Sequence, residues 1–385
     1  MSGRRVTEAP RNGAEMRGCI QLHSGSGSLP FQLVQKSVRK AVMHGFNHAR
    51  IGLLVSLAAV LAPGAGAANC ITQAQMTPAD RNAIVDASRS MLLLAQNGNV
   101  QGLKANTLPA VAADFGGIAS SVQSLQPIIQ NAFVTVDAVY DLDASEDQAG
   151  SANTQFFCGS PVVVINFNNL PPAKYALVLM HATGVKEPQQ VSLILSQSPN
   201  KRWMLAGFFA KPMVQAGHDG LWYWVSARRY AEANGKWAAW FYYRLAADLL
   251  QPMDNISSPN LQKLQSESTS AKPDNLPTDK PVTVNANGAA FQLTAVDTTT
   301  QFGGLDLDVH YLPNPMQTAQ LRDPPSARKQ VVDVMNALLA QHPELHNAFH
   351  GMWVHADQGN VSLFALELPM EQIASTPASA APMPR

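Results

Sequence analysis

Three histidines near the end of the chain have the spacing of metal ligands. His342, His346 and His350 follow one another at i, i+4 and i+8. On one continuous helix, imidazoles with this spacing would share a face and could bind a divalent metal ion. Pro343 starts a new helix after His342 and Gly351 ends it, so a solvated polar run is the competing interpretation. We therefore predict no metal or other cofactor, and retain the three histidines as candidate ligands.

A carboxylate and an imidazole form a second candidate pair. Asp137 and His181 lie in segments that are predicted to be strands. In a dry pocket such a pair could carry out general acid and base catalysis. A hydrogen-bonded or exposed position is the alternative, because the sequence does not show which face of the sheet they occupy. By alternation with apolar neighbours, Asp306 and Asp308 are predicted on the solvated face of another strand.

Motifs of several large enzyme classes are missing from the sequence after residue 67. It has no Gly-x-Ser-x-Gly nucleophile elbow, phosphate-binding loop, His-Glu-x-x-His motif or Gly-x-Gly-x-x-Gly fingerprint. We therefore favour a protein without catalytic activity, and leave enzymatic function open.

Composition and charge narrow the class of protein further. The 385 residues include 27 basic and 27 acidic side chains, and 14% are charged, well below the usual quarter or so. A nucleic-acid-binding protein with a basic face is therefore not expected. Hydrophobic residues make up 46% of the chain, enough for a sizeable core, and the length predicts two or three domains.

The first 67 residues differ from the rest and are predicted to contain a signal peptide. They carry a net charge of +6, which leaves −6 for the remainder. Residues 51–62 form an apolar run preceded by Arg50 and followed by Pro63, and this run is too short to span a bilayer. We predict cleavage after Ala67, with Met43 as an alternative translation start. The pattern predicts a bacterial protein that is periplasmic or secreted and has no membrane span after cleavage.

Two cysteines remain after the predicted cleavage site. Cys70 and Cys158 form an even pair in an oxidising compartment, which favours a disulfide between them. In the chain-entropy model, closing this loop would stabilise the fold by about 4 kcal/mol. Lipidation of Cys70 and two unpaired buried thiols are the alternatives.

Secondary-structure patterns indicate an α+β protein. Thr77 and Pro78 begin a predicted helix, and apolar periodicity then changes to the alternation of strands. The predicted strands cover residues 133–140, 162–167, 175–183, 190–197 and 202–209. Two further strands, a helix over 326–340 and a hairpin predict a C-terminal ββαββ domain. The predicted divisions are 68–212, a helical hairpin over 213–258, a linker over 259–281, the C-terminal domain over 282–373 and a disordered tail over 374–385.

Residues 77–212 resemble the nuclear transport factor two-like superfamily. The resemblance rests on the order of elements, short helices followed by strands, and on the final strand sequence RWMLAGFF at 202–209. It implies a curved antiparallel sheet in a cone-like domain. The superfamily includes isomerases, dehydratases and hydrolases as well as binding domains, so the fold alone does not specify a function.

Residues 217–252 are the most aromatic part of the chain and resemble a single tetratricopeptide-type helical hairpin. Tyr230, Gly235, Trp237 and Pro252 fall near the positions that this repeat uses. The hairpin must pack on a neighbour to bury its faces. Its aromatic residues are interpreted as inter-domain core or, alternatively, as a ligand-binding platform. The candidate binding residues are Trp222, Trp224, Tyr230, Trp237, Trp240 and Tyr243.

Together these features predict an exported, non-catalytic protein that binds another protein or an envelope component through the aromatic hairpin. A small-molecule enzyme or ligand-binding protein that uses a cone cavity with Asp137 and His181 is the alternative. A carbohydrate- or metal-binding accessory protein is a third hypothesis. No nucleic-acid partner is expected.

Overall fold

The computed structural model describes residues 68–147, 152–278 and 280–373. The predicted signal peptide and cleavage site, and the predicted tail over 374–385, lie outside the described residues. Within these ranges no helix has both the length and the apolar character needed to cross a membrane. The described elements combine helices with mainly antiparallel strands, which confirms the α+β class.

Helices dominate the first part of the described chain. The elements are β1 (Asn69–Thr72), α1 (Pro78–Gln96), α2 (Val100–Ala105), α3 (Pro109–Ala112) and α4 (Gly116–Ile129). Thr77 caps α1 by accepting a hydrogen bond from the backbone N–H of Asp80, and Pro78 occupies the first turn, where no N–H is needed.

Strands follow, and four of those described join β1 in one five-stranded sheet. They are β2 (Phe133–Asp143), β3 (Thr154–Cys158), β4 (Val163–Phe167), β5 (Lys174–Thr183), β6 (Gln189–Gln197), β7 (Trp203–Pro212), β8 (Val214–Gln215) and β9 (His218–Asp219). The large sheet has the order β1-β2-β5-β6-β7, with every pair antiparallel. Its core packs against the helices, with Ile84 and Ile129 meeting Val178 and Leu193.

A helical hairpin and a third helix lie in the middle of the chain. They are α5 (Gly220–Glu232), α6 (Lys236–Leu250) and, after the short strand β10 (Ile256–Ser257), α7 (Pro259–Ala271). The composition of 259–281 predicts a linker, but half of this segment is helical. Ser258 caps α7, and Leu264 is buried in the core that α5 and α6 share with the C-terminal domain. Burial of one apolar stripe is what holds this polar sequence in a helix.

A small three-stranded sheet and a disulfide join distant parts of the chain. The sheet has the order β10-β4-β3. Cys70 of β1 is bonded to Cys158 of β3, with their Cα atoms 5.2 Å apart, which confirms the predicted pair. The disulfide therefore connects the large sheet to the small one.

The C-terminal domain is a five-stranded sheet with helices between its third and fourth strands. Its elements are β11 (Val282–Ala286), β12 (Ala289–Thr299), β13 (Asp306–Leu312), α8 (Pro315–Gln320), α9 (Pro324–Gln341), α10 (Leu345–Ala348), β14 (Gly351–Gln358) and β15 (Val361–Pro369). The strand order is β11 to β15, and only the β13 and β14 pair is parallel. The predicted ββαββ order is present, with β11 as an additional strand.

Candidate metal centre

One face of the C-terminal sheet carries a row of ionisable side chains. In β13, Leu307 and Val309 are completely buried in the core. Because successive side chains of a strand point to opposite faces, Asp306, Asp308 and His310 share the other face. This arrangement is the physical starting point for the site.

The parallel partner strand brings a second histidine to the same place. Asp308 is the register partner of Trp353, and His310 is the register partner of His355. The rings of the two histidines are therefore stacked, with centroids 4.5 Å apart and planes 14° from parallel.

Three ligand-type atoms converge between these side chains. Asp308 Oδ1 lies 3.3 Å from His310 Nε2 and 3.2 Å from His355 Nε2. Each of the three atoms is within 4.8 Å of the others. Zinc ligands at about 2.0–2.1 Å from the metal in tetrahedral geometry are about 3.3–3.4 Å from one another. The two separations measured from Asp308 thus match the edges of a zinc-type tetrahedron.

Two of these atoms are buried without a hydrogen-bond partner. His355 is only 7% exposed, and its Nε2 and the Oδ1 of Asp308 both lack hydrogen bonds. They lie 3.2 Å apart in an ion-pair contact, but their orientation does not give a well-aligned hydrogen bond. A buried polar atom without a partner is costly and normally has an explanation such as an ion or an ordered water molecule. A cation between the two atoms would satisfy both.

Other side chains orient the two imidazoles from behind. Asp357 Oδ2 lies 2.6 Å from His310 Nδ1, and Ser362 Oγ lies 3.4 Å from His355 Nδ1. A ligating histidine commonly donates its second ring N–H to a carboxylate or another acceptor, which fixes the tautomer and leaves Nε2 for the metal. Both rings therefore have the kind of support that metal-bound histidines require.

The pKa shifts in the cluster favour a positively charged His310 beside a negatively charged Asp308. The interaction with Asp308, together with that of Asp357, raises the pKa of His310 to about 9 against the opposing effect of burial. Burial by itself would raise the pKa of Asp308, but His310 and His355 outweigh it and lower the pKa to about 2. A bound cation would take the place of the imidazolium proton at His310.

The histidines that the sequence singles out do not form one helical face. α9 ends at Gln341, and α10 is a separate helix of four residues. His342 instead stacks on Trp237 with ring centroids 4.3 Å apart. The alternative of one shared helical face is not realised, because the helix ends before Pro343, as the position of this proline indicates. Of the three, His350 alone belongs to a group of convergent ligand atoms in the described ranges.

Asp137 and His181 are in direct contact, but at the surface. Asp137 Oδ2 lies 2.8 Å from His181 Nδ1, and both side chains are about one-third exposed. Burial raises the pKa of Asp137, while the charge of His181 opposes that rise. The dry pocket that general acid and base catalysis would need is not formed around this pair, so its catalytic role stays a prediction.

Most of the aromatic candidates belong to the protein core. Trp224, Trp237 and Tyr243 are buried, Tyr230 and Trp240 are half-buried, and Trp222 is 39% exposed. The hydroxyl of Tyr242 donates a hydrogen bond to the carbonyl oxygen of Ala348, and so joins α6 to the C-terminal domain. The hairpin thus forms inter-domain core, and a ligand platform made of all six residues is not present.

A cleft of about 510 Å³ lies beside the end of α6. Lys211 lines it and donates hydrogen bonds to the carbonyl oxygens of Asp248 and Gln251. Burial lowers the pKa of Lys211 to about 8, although Asp248 and Asp254 oppose this effect. Because the ammonium group binds the last carbonyl groups of α6, we interpret Lys211 as a helix cap.

No protein-family model, curated protein or solved structure matches this chain. The interpretation of the site therefore rests on its geometry. The sequence patterns do not single out Asp308, His310 and His355 as candidate ligands, and the prediction that Asp306 lies on a solvated face is wrong because Asp306 is 0% exposed. The available signal was the alternation Asp-x-His at 308–310 and His-x-Asp at 355–357 on two strands.

Proposed function

We propose that the protein is exported and binds a divalent transition-metal ion through Asp308, His310 and His355. The observation that carries this proposal is the convergence of two buried atoms, Asp308 Oδ1 and His355 Nε2, which face each other at 3.2 Å in an ion-pair contact and make no well-aligned hydrogen bond. The support from Asp357 and Ser362 behind the two rings agrees with it.

The donor set indicates zinc or a similar cation. Two imidazole nitrogens and one carboxylate oxygen suit zinc, iron, nickel or copper better than magnesium or calcium. The two rings are nearly parallel, so binding in the plane of both requires rotation about χ2, a broad and soft torsion in histidine. Three protein ligands leave a fourth position for water or another ligand, as in catalytic zinc sites.

The place of action that we propose is the periplasm or the extracellular space. Disulfides persist in such oxidising compartments, and the pair Cys70 and Cys158 is formed. The apolar run at residues 51–62 has the layout of a signal peptide. Recognition of a protein or envelope partner through the hairpin remains a prediction, with Trp222 and the stacked ring of His218 as its exposed part.

Metal counting in matched variants tests the proposal. Untagged protein would be stripped with a chelator, dialysed against Zn²⁺ and analysed for bound zinc by mass spectrometry. We expect Asp308→Asn and His355→Ala each to lose one zinc per chain relative to the wild type. His346→Ala removes a histidine outside both groups of convergent ligands and should lose none. Equal zinc content in the wild type and Asp308→Asn would rule out the proposed site.

A further inference from the structure

A second group of possible ligands lies further along the same face of the sheet. Asp306 precedes Asp308 by two residues of β13, so its side chain is on the same side. Its Oδ1 lies 2.9 Å from Nδ1 of His350. Glu367 of β15 completes the group, and the three ligand atoms are all within 4.8 Å of one another.

The absence of a side chain at Gly351 makes room for the two carboxylates. A Cβ atom at this position would lie 2.7 Å from Asp306 Oδ1 and 2.8 Å from Glu367 Oε1. Both oxygens therefore approach the same point from different strands. Contacts this short exclude any other residue at 351 unless the carboxylates move apart.

Asp306 is a buried carboxylate, and one oxygen of the partly exposed Glu367 is shielded beside it. Asp306 is 0% exposed, and its Oδ2 has no hydrogen-bond partner. Glu367 Oε1 is likewise buried without a partner. His350, half-exposed, is the one basic side chain in the group. A buried carboxylate oxygen without a hydrogen-bond partner is unfavourable unless a cation, a proton or a water molecule satisfies it.

We propose that Asp306, His350 and Glu367 bind a second divalent cation. Two carboxylate oxygens and one imidazole nitrogen suit Mn²⁺ or Zn²⁺, and this site is richer in oxygen than the site at Asp308. Water can complete the coordination because the imidazole of His350 reaches solvent. Gly351 is the residue that allows the two carboxylates to share one ion.

The second ion is independent of the first. Asp306 and Asp308 are two residues apart on one strand, a distance of about 6.5–7 Å. Two-metal catalytic centres hold their ions about 3.5–4 Å apart, usually with a shared ligand. The two sites therefore have separate ligands, and the second does not require the first.

Zinc stoichiometry and Mn²⁺ titration of the full, untagged chain test this proposal. We expect two zinc ions in the wild type and in His346→Ala, one in Asp308→Asn, one in His350→Ala, and none in the Asp308→Asn/His350→Ala double variant. Glu367→Gln has the same shape without the charge, and should weaken Mn²⁺ binding, followed by electron paramagnetic resonance, by more than about 10-fold. Circular dichroism would check that each variant is folded.

The outcomes separate the two proposals. One zinc in the wild type that Asp308→Asn removes and His350→Ala retains would overturn the second site and leave the first. One zinc with the reverse pattern would overturn the first and leave the second. Two zinc ions in both His350→Ala and Glu367→Gln would also overturn the second site.

Discussion

Asp357 illustrates how a single side chain behind a ligand can set metal affinity. Its carboxylate is 2.6 Å from the Nδ1 of His310, which points Nε2 towards Asp308. A negative charge at this position makes the imidazole a stronger donor to a metal ion. We class Asp357 as an orienting residue because its neighbour His310 supplies the atom that would bind the metal.

Asp357→Asn is therefore expected to weaken zinc binding without removing the site. The amide oxygen can still accept from His310, but the charge is lost, and such changes typically cost about 10- to 100-fold in affinity. Competition with a chromophoric chelator measures the dissociation constant, and metal analysis gives the stoichiometry. His346→Ala is the control. Complete loss of the zinc ion proposed at Asp308 would show that Asp357 is itself a ligand. An unchanged affinity of that site for zinc would contradict the orienting role.

His342 has a different role, as a buried neutral ring that makes stability depend on pH. It stacks on Trp237, and the side-chain amide of Asn275 lies 3.3 Å from its Nε2. Burial lowers its pKa to about 4. The unfolded chain takes up a proton near pH 6.5 and the folded protein does not until about pH 4. Stability from this residue is therefore present at neutral pH and is lost as the pH falls through this window.

Between pH 7 and pH 4.5 we expect the wild type to lose about 2 kcal/mol more unfolding free energy than His342→Gln. Urea unfolding of both proteins at several pH values, with chelator present, gives this difference. Groups far from residue 342 that titrate in the same range affect both proteins equally, whereas Glu344, whose Oε1 lies 3.8 Å from His342 Nδ1, is the neighbour whose titration the substitution also changes. Parallel stability curves for the two proteins would contradict the prediction.

At the scale of elements, local patterns predict structure where one strand or helix has a clear period. β2, β5 and β6 agree with the predicted strands to within a few residues, because alternation and β-branched residues are local signals. α7 is the clearest failure. Its composition is typical of a linker, and what makes it a helix is the packing of Leu264 on distant residues.

Leu264→Ala tests whether α7 contributes to the core. Removing a buried leucine side chain should lower the unfolding free energy by about 2–5 kcal/mol. Leu261→Ala, on the same helix but half-buried, is the matched control and should cost clearly less. Thermal or urea unfolding measures both. Equal and negligible effects would mean that residues 259–271 act as the linker that their composition predicts.

The candidate site depends on pairing between elements, which the sequence does not display. Alternation shows that Asp306, Asp308 and His310 share one face of β13. It does not show that β14 lies beside β13 in parallel, with His355 next to His310. Without knowledge of that neighbour, the alternation predicts a solvated face that carries ordinary exposed acids. The chemistry of the site arises from two strands that α8, α9 and α10 separate in the chain.

Across the whole molecule, the segment that follows the helical hairpin pairs with a strand from an earlier part of the chain. β10 follows α6 and pairs with β4, so residues beyond the hairpin complete a sheet that earlier strands began. Residues 213–258 are therefore not an independent unit. The disulfide adds a second long-range connection, between β1 and β3. Of the two, only the covalent disulfide also restricts the unfolded chain.

Loss of the disulfide should destabilise the fold without changing the metal site. The bond joins residues 88 positions apart, and removal of a native disulfide commonly costs about 2–5 kcal/mol. We expect the unfolding free energy of Cys70→Ala/Cys158→Ala, measured in urea, to be lower than that of the wild type by this amount. Its zinc content should equal that of the wild type, because the proposed ligands lie on a different sheet. Intact mass with and without reductant checks the bond through a shift of about 2 Da, one hydrogen for each sulfur. Wild-type stability in the double variant would contradict the constraint, and loss of zinc would show that the two parts of the molecule are coupled.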